Sequence, residues 1–559
     1  MNEYEMQRVI RFLKRTRQPF LTLVPAAEPD ATWNIITHLI ESEITGAPVT
    51  LSTLVSVSEV PYATGLRRIH RMIDDGVILK RSRSKTGKTF TLHPSPALKA
   101  QFDDYARQMK SLLAETFGRA AASEDENDYY FGGISERVPI GLPAGEDHGL
   151  RFLLHDDNYF ASMRNMWVDF RSNRASRRDF EMCVLPDLHA RLVANAAAPV
   201  SEFDVVTINV PWLAEFAARG ALCPIDRFSR PDDIQRQDFH PVVWSTGMWQ
   251  QRQYGVPIYV TIEVLAARRD LFDGVGLSPP RTFDEVIAAG RALHAPAKER
   301  VGIVWNAARG MPLAHSFMFF LGCCGSGVFE HARTAAPEAA HLGRVQIDSR
   351  AGLEVLDYMH RLIEISPPDI LDMEWKRGLD LFMHGGSAMS YVWTMRAARF
   401  EYDIHSAVKR KVRYLPHPAG PGGTNLSPMG GFLLAVPANL PEHRARRAHE
   451  AIASMASPDA MRVHAKNGFP VVPRFSVAAD PEAAAGSPLI GVVDSLVKRN
   501  LICTSQRPRV PQYAQIERVL GQVLHRALRR ECSDAAALRE AQDAVAALMT
   551  ESRATAPAG

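Results

Sequence analysis

Along the first hundred residues the apolar positions recur at helical spacing. Trp33, Ile35, Ile36, Leu39 and Ile40 follow Asp30 and Thr32, which suit a helix start, so an amphipathic helix is predicted over 33–44. Ser52–Val57 reads as a second, short helix. It ends at Ser58-Glu59-Val60-Pro61, because proline halts one helix and suits the first turn of the next. A third helix over Tyr62–Asp75 buries Leu66, Ile69, Met72 and Ile73 on one stripe and turns Thr64, Arg67, Arg68 and Arg71 outward, with Gly76 as its stop. Val77–Leu79 and Thr89–Leu92 then enclose a basic stretch, Lys80–Lys88, as a β-hairpin. Flanking helices are predicted over Glu3–Arg17 and Ala97–Phe117. The second carries Leu98, Phe102, Tyr105, Met109, Leu112, Leu113 and Phe117, more apolar surface than a small domain buries alone. Ala120–Asp128, with an acidic run at Glu124-Asp125-Glu126, reads as the start of a linker.

From Leu150 the pattern changes to strands alternating with helices. Strands are expected at Leu150–Leu154, Phe180–Leu185 and Phe203–Ile208, with helices at Ala161–Phe170 and Asp187–Ala197 between them. This predicts an α/β domain with a largely parallel sheet covered by helices on both faces. Ligands of such sheets bind beyond the carboxyl ends of the strands. The loops to watch are therefore His155-Asp156-Asp157-Asn158, Asn209-Val210-Pro211-Trp212 and whatever faces them. The resulting division is 1–122, a linker over 123–149, and 150–559.

Composition sharpens this picture in three places. The chain has 559 residues, 46% hydrophobic and 23% charged, which suits a soluble protein with several cores. Its charge is uneven: residues 1–122 hold 17 Lys and Arg against 12 Asp and Glu, and within 62–92 eight basic residues face only Asp74 and Asp75. Such concentration is a nucleic-acid footprint, the plainer alternative being a solvated basic face. The six cysteines show neither a disulfide framework nor zinc spacing, so reduced thiols and a cytoplasmic location are expected. Glu3, Glu5 and the charges through Arg17 argue against a secretory leader, and no run approaches about 18 apolar residues, so no membrane span is expected.

Ser82–Thr89 ends in Gly-Lys-Thr but lacks the first glycine of a phosphate-binding loop, and it lies between strands rather than before a helix. No HExxH, GxSxG or GxGxxG motif occurs, and the histidines lack metal spacing. No catalytic residue, cofactor or metal is assigned. Glu263 with Asp156 would be the one carboxylate pair of glycosidase type.

The helices, Gly76-Val77-Ile78, the basic hairpin and Leu92 together resemble the MarR-type winged-helix family over about 60 residues. The resemblance implies a small α+β DNA-binding and dimerisation domain, with a recognition helix in the major groove of double-stranded DNA and a wing on the backbone. Its DNA contacts would be Thr64, Arg67, Arg68, Arg71, Arg81, Arg83, Lys85 and Lys88. It also implies a homodimer through the flanking helices; packing of those helices on the receptor domain is the alternative.

Residues 150–545 are similar to the extracellular solute-binding proteins of ABC importers, including sugar receptors. The matching stretches are Phe203–Phe216, Tyr254-Gly255-Val256-Pro257, Arg269–Phe272 with Gly276–Glu285, Gly430-Gly431-Phe432, Ser457-Pro458 leading to Gly468-Phe469-Pro470, Arg507–Tyr513 and the closing pair of helices. The resemblance implies a two-lobed, periplasmic-binding-protein-like (type II) α/β fold closing on a sugar or polyol. Aromatic faces would meet the sugar ring, and charged or amide groups its hydroxyls. The expected contacts are Asp156, Asp157, Asn158, Asn209, Trp212, Glu263 after a crossing strand over Val256–Ile262, Trp305, Asn306, Tyr391, Trp393, Arg396, and the backbone at Gly430 and Gly431. Core packing is the competing fate of each aromatic taken singly. Joining the two resemblances gives a ligand-responsive transcriptional regulator; an exported importer receptor is the alternative, and a carbohydrate-active enzyme a third.

Overall fold

The computed structural model describes Met6, Ile10, Leu13, Lys14 and residues 31–82, 90–116, 149–157, 159–160, 163–164, 179–228, 234–331, 342–403, 406–466, 469 and 473–555. The chain divides into two compact units, one comprising residues 1–135 with 402–405, the other 136–401 with 406–559.

In the first unit α1 (Ala31–Thr45), α2 (Leu51–Val57) and α3 (Tyr62–Asp74) precede a hairpin of β1 (Ile78–Ser82) and β2 (Phe90–Pro94), followed by α4 (Pro96–Thr116). The Thr50 hydroxyl caps α2 by accepting from the Thr53 amide at 3.2 Å. Gly65 lets α3 pass close to α2: a β-carbon there would sit 2.7 Å from the Ser58 hydroxyl, which donates to the Val55 carbonyl. Gly76, at φ +72°, ends α3 in the left-handed conformation a bulkier residue resists. β1 and β2 pair antiparallel from Ile78–Pro94 to Ser82–Phe90.

Two apolar clusters result. Ile35, Leu39, Leu54, Ile69, Met72, Ile78 and Leu92 form one. Met6, Ile10, Leu13, Ile40, Ile44, Leu98 and Phe102 form the other. Leu98 and Phe102, assigned in sequence to pairing or domain docking, are therefore covered within their own unit. Most of the expected Glu3–Arg17 helix, the linker, and Leu112, Leu113 and Phe117 lie outside the described side chains.

In the second unit the chain builds β3 (Phe152–His155), β4 (Phe180–Cys183), helix α5 (Leu185–Ala197), β5 (Val205–Asn209) and a long β6 (Gly255–Arg268). Then come β7 (Val301–Val304), α6 (Met311–Cys323), α7 (Trp375–Met383), β8 (Ser387–Trp393), α8 (Thr394–Tyr402), β9 (Val412–Leu415), β10 (Ser427–Pro437) and α9 (Tyr513–Leu528). The strand order is β7-β8-β6-β10-β5-β3-β4.

Pairing is parallel among β3, β4 and β5 and between β7 and β8. Within this order the long strands β6 and β10 run antiparallel to their neighbours, while residues 502–503 add a short parallel pairing to the start of β10. The sheet is thus mixed rather than largely parallel, because a chain that crosses between lobes and returns must reverse direction. The expected helix over Ala161–Phe170 falls almost entirely outside the described residues.

β6 joins two α/β lobes by changing partners. Residues 255–262 pair with β10, ending at Ile262–Met429. From Glu263–Trp393 onward the strand pairs with β8, and then also with β9. β6 is buried over its whole length, as a strand covered on both faces must be. Phe152 stacks on Phe180 at 4.4 Å in one lobe and Phe283 on Tyr358 at 3.8 Å in the other. Among the described residues no helix is long and apolar enough to cross a membrane.

Candidate functional site

The partner exchange in β6 gathers side chains from both lobes at one place. Strand continuation carries Glu263 past the predicted end of the crossing strand, so it sits inside β6, 2% exposed, rather than in the loop after it. Asn306 Nδ2 donates to Glu263 Oε1 at 2.9 Å, and His417 Nε2 lies 3.2 Å from Oε2. A buried carboxylate needs such partners to offset the loss of water. Across the crossing, the Ile262 amide donates to the Thr394 hydroxyl at 3.1 Å and the Met395 amide to the Thr261 hydroxyl at 3.3 Å.

Two hollows flank this point. One, about 290 Å³ including space open to solvent, is lined by Trp305, Asn306, Trp375, Tyr391, Trp393 and Arg396, among others. Trp305 is held by its indole N–H donating to the Ser366 hydroxyl at 3.2 Å, and Tyr391 by a 2.8 Å hydrogen bond between its hydroxyl and that of Tyr358. Burial pushes the Tyr391 phenol well above its usual range, so it remains a neutral donor and acceptor. Arg396 lies over the Trp375 ring at 5.8 Å.

The second hollow, about 420 Å³ including space open to solvent, is lined by Val210, Pro211, Thr246, Tyr259, Met429, Gly430, Phe432, Thr504, Arg507 and Arg509, among others. Trp393 of the first hollow lies next to Arg507 of the second. The Arg507 guanidinium lies 5.8 Å from the Trp393 ring, and a β-carbon on Gly430 would meet both side chains, at 2.8 and 3.1 Å. Gly431, at φ +148°, has no room for one at all: it would lie 2.1 Å from the Tyr259 carbonyl.

At the end of β3, Asp157 Oδ1 accepts from the Phe160 amide at 2.9 Å. Removal from water pushes the Asp157 carboxyl up to about 7, and the same cause takes the neighbouring His155 down to about 4. His155 stacks on Phe432 at 4.8 Å, which ties the Asp156-Asp157 loop to β10.

The structure thus brings together Glu263, Trp305, Asn306, Tyr391, Trp393, Arg396 and Gly430, and holds Gly431 in the adjoining strand. Trp212 goes elsewhere. The single turn Val210–Trp212 points it into the lobe, 2% exposed and edge-on to His189 of α5 at 4.9 Å, while Val210 and Pro211 reach the hollow. Asn209 is buried within β5 opposite Phe432. Asn158 lies outside the described residues. Tyr259, Trp375, Arg507 and Arg509 were not assigned from sequence; Arg507 and Arg509 stood in a quoted stretch, whereas Tyr259 and Trp375 carried no local signal.

In the first unit Thr64, Arg67, Arg68 and Arg71 are all exposed along α3, as is Arg81 on β1. Arg68 Nη1 donates to the Thr32 hydroxyl at 3.0 Å. Arg83, Lys85 and Lys88 lie outside the described residues.

Residues 186–462 match the family model described as bacterial extracellular solute-binding protein. Solved structures share the two-lobed α/β fold of periplasmic binding proteins. An ABC transporter solute-binding protein of Agrobacterium radiobacter, in complex with ribitol, is 23% identical with TM-score 0.65, over 72% of this chain and 98% of that one. The maltose-bound MalE3 of T. maritima is 22% identical with TM-score 0.62, over 72% and 100%. A solute-binding protein of Agrobacterium vitis with bound D-mannitol is 21% identical with TM-score 0.61, over 72% and 99%.

Proposed function

We propose that residues 150–559 form a non-enzymatic receptor for a sugar or polyol, bound where β6 changes partners. The observation that carries this reading is the aromatic wall of Trp305, Trp375, Tyr391 and Trp393 beside the Asn306–Glu263 pair. Aromatic faces suit the C–H surfaces of a sugar, and an amide beside a carboxylate serves hydroxyls as donor and acceptor. Ribitol, mannitol and maltose in the similar proteins support the same ligand class. A melting screen of the full chain against sugars and polyols tests it, since a ligand of the folded state raises the midpoint. A hit whose effect survives Trp393→Ala and Asn306→Ala unchanged defeats the site.

Delivery of the solute to an ABC importer, from outside the cytoplasm, is the use for which the similar proteins speak. A second reading is favoured by a separate observation. Three helices, a hairpin and the exposed row of Thr64, Arg67, Arg68 and Arg71 suit a winged helix on DNA, and would make the chain a cytoplasmic, dimeric regulator that senses the same solute. Arg67→Ala, Arg68→Ala and Arg71→Ala together should then abolish retention on DNA from the gene's own upstream region and leave solute affinity intact. Cell fractionation separates the readings: full-length protein accumulating outside the cytoplasm sinks the regulator.

A further inference from the structure

The two hollows differ in what they offer a solute. On the Trp393–Arg396 side, donors and acceptors are mixed: Asn306 has both, and the Tyr391 hydroxyl serves as either. The other hollow is lined by Thr246, Thr504, Tyr259, Arg507 and Arg509, with no carboxylate among the described residues of its wall, and the Thr246 hydroxyl already donates to the Val243 carbonyl at 2.6 Å. A guanidinium donates and never accepts, so the two arginines cannot take the hydroxyl protons of a neutral polyol, and that part of the wall suits an acceptor-rich group.

The charges are also poorly matched. Arg509 Nη1 donates to the Ser245 carbonyl at 3.1 Å, and among the described residues it forms no ion pair. Arg507 donates to the Met429 carbonyl at 2.9 Å. The Tyr513 hydroxyl, which feels the Arg507 charge, donates to Glu517 Oε1, and that oxygen is already engaged by His315 Nε2 at 2.6 Å. A cation held out of water without a counter-charge is costly, and a bidentate anion is the partner a guanidinium fits best.

We propose that the solute carries an anionic group, a carboxylate or a phosphate, seated on Arg509 and Arg507, with its hydroxylated body against Trp393 and Asn306. This rests on the receptor reading above and adds the charge of the ligand to it. The anion completes the pairing of Arg509, so its contribution weakens as salt screens it.

Calorimetry of the full chain tests this with three matched series: ribitol, mannitol and glucose, each beside its sugar acid and its phosphate ester. In at least one series an anionic member should bind about tenfold tighter than the neutral one. That ratio should shrink in added salt, and should collapse in Arg509→Gln but persist in Arg509→Lys. Whichever anion leads identifies the group. Neutral members binding as tightly as their anionic partners in every series that binds overturns the proposal while leaving a sugar receptor standing. Binding by none of the nine counts against the sugar receptor itself, and the proposal falls with it. The wild-type ranking decides the matter even where Arg509→Gln fails to fold.

Discussion

Replacing Asp157 by Asn should stabilise the receptor unit at alkaline pH and do little in acid. The carboxyl is raised from 3.8 to about 7 in the folded chain, chiefly by removal from water. A folded-state value above the unfolded one means the neutral acid is favoured by folding. That contribution is fully present below about pH 3.8 and is lost as pH rises through 7. At about 1.36 kcal/mol per pH unit the ceiling is roughly 4 kcal/mol. Because 19% of the side chain still meets solvent, about half of that is the expected effect. Asn cannot ionise, and it keeps the Oδ1 that accepts from the Phe160 amide.

The neighbouring His155, lowered to about 4, has the opposite slope: its contribution appears as pH rises through 4 and is complete above its unfolded value of 6.5. The wild-type curve alone therefore conceals both. The difference between Asp157→Asn and wild type isolates one. It should grow from near zero at about pH 4 to about 2 kcal/mol at pH 8, a rise of a few degrees in melting temperature for a domain of this size. Melting curves of both proteins across that range measure it. A difference that is constant with pH, or a variant less stable than wild type at pH 8, refutes the reasoning.

Gly431→Ala should cost about 3 kcal/mol or more, since both its φ of +148° and the Tyr259 carbonyl, 2.1 Å from the new carbon, oppose it. Gly276→Ala, at φ +70° in open space, should cost only about 1 kcal/mol; equal losses in thermal melts would show that the close strand approach is unimportant. Asp204, 1% exposed, accepts two 2.8 Å hydrogen bonds from Arg444 and one from the Arg151 amide. Asp204→Ala should therefore lower stability by about 3 kcal/mol in denaturant titration, and a loss under about 1 kcal/mol would count against a fixed buried pair.

The local patterns were legible where one face of an element is wet. Period-3.6 spacing placed α1, α2 and α3 within two residues, and the exposed face of α3 followed from the same stripe. They failed where burial is two-sided. β6 is buried throughout, so no wet face announced that it continues through Glu263, or that Tyr259 rather than Trp212 turns toward the hollow. Trp212 follows a strand end, as site residues do, but one tight turn rotates it onto His189. Arg507 and Arg509 reach Trp393 and Ser245 from far along the chain, a proximity that only tertiary folding creates.

The continuity of β6 sets a limit on how this chain can vary in length. Side chains alternate between the two sides of a strand, and the lobes read that alternation from opposite ends. Deleting one residue near Ile262 would leave one lobe in register and invert every side chain delivered to the other. Glu263 would then leave Asn306, and His417, fully enclosed, would face an aliphatic neighbour instead. Loops elsewhere can lengthen or shorten freely, but at the crossing the count of residues is as much a part of the binding site as their identity.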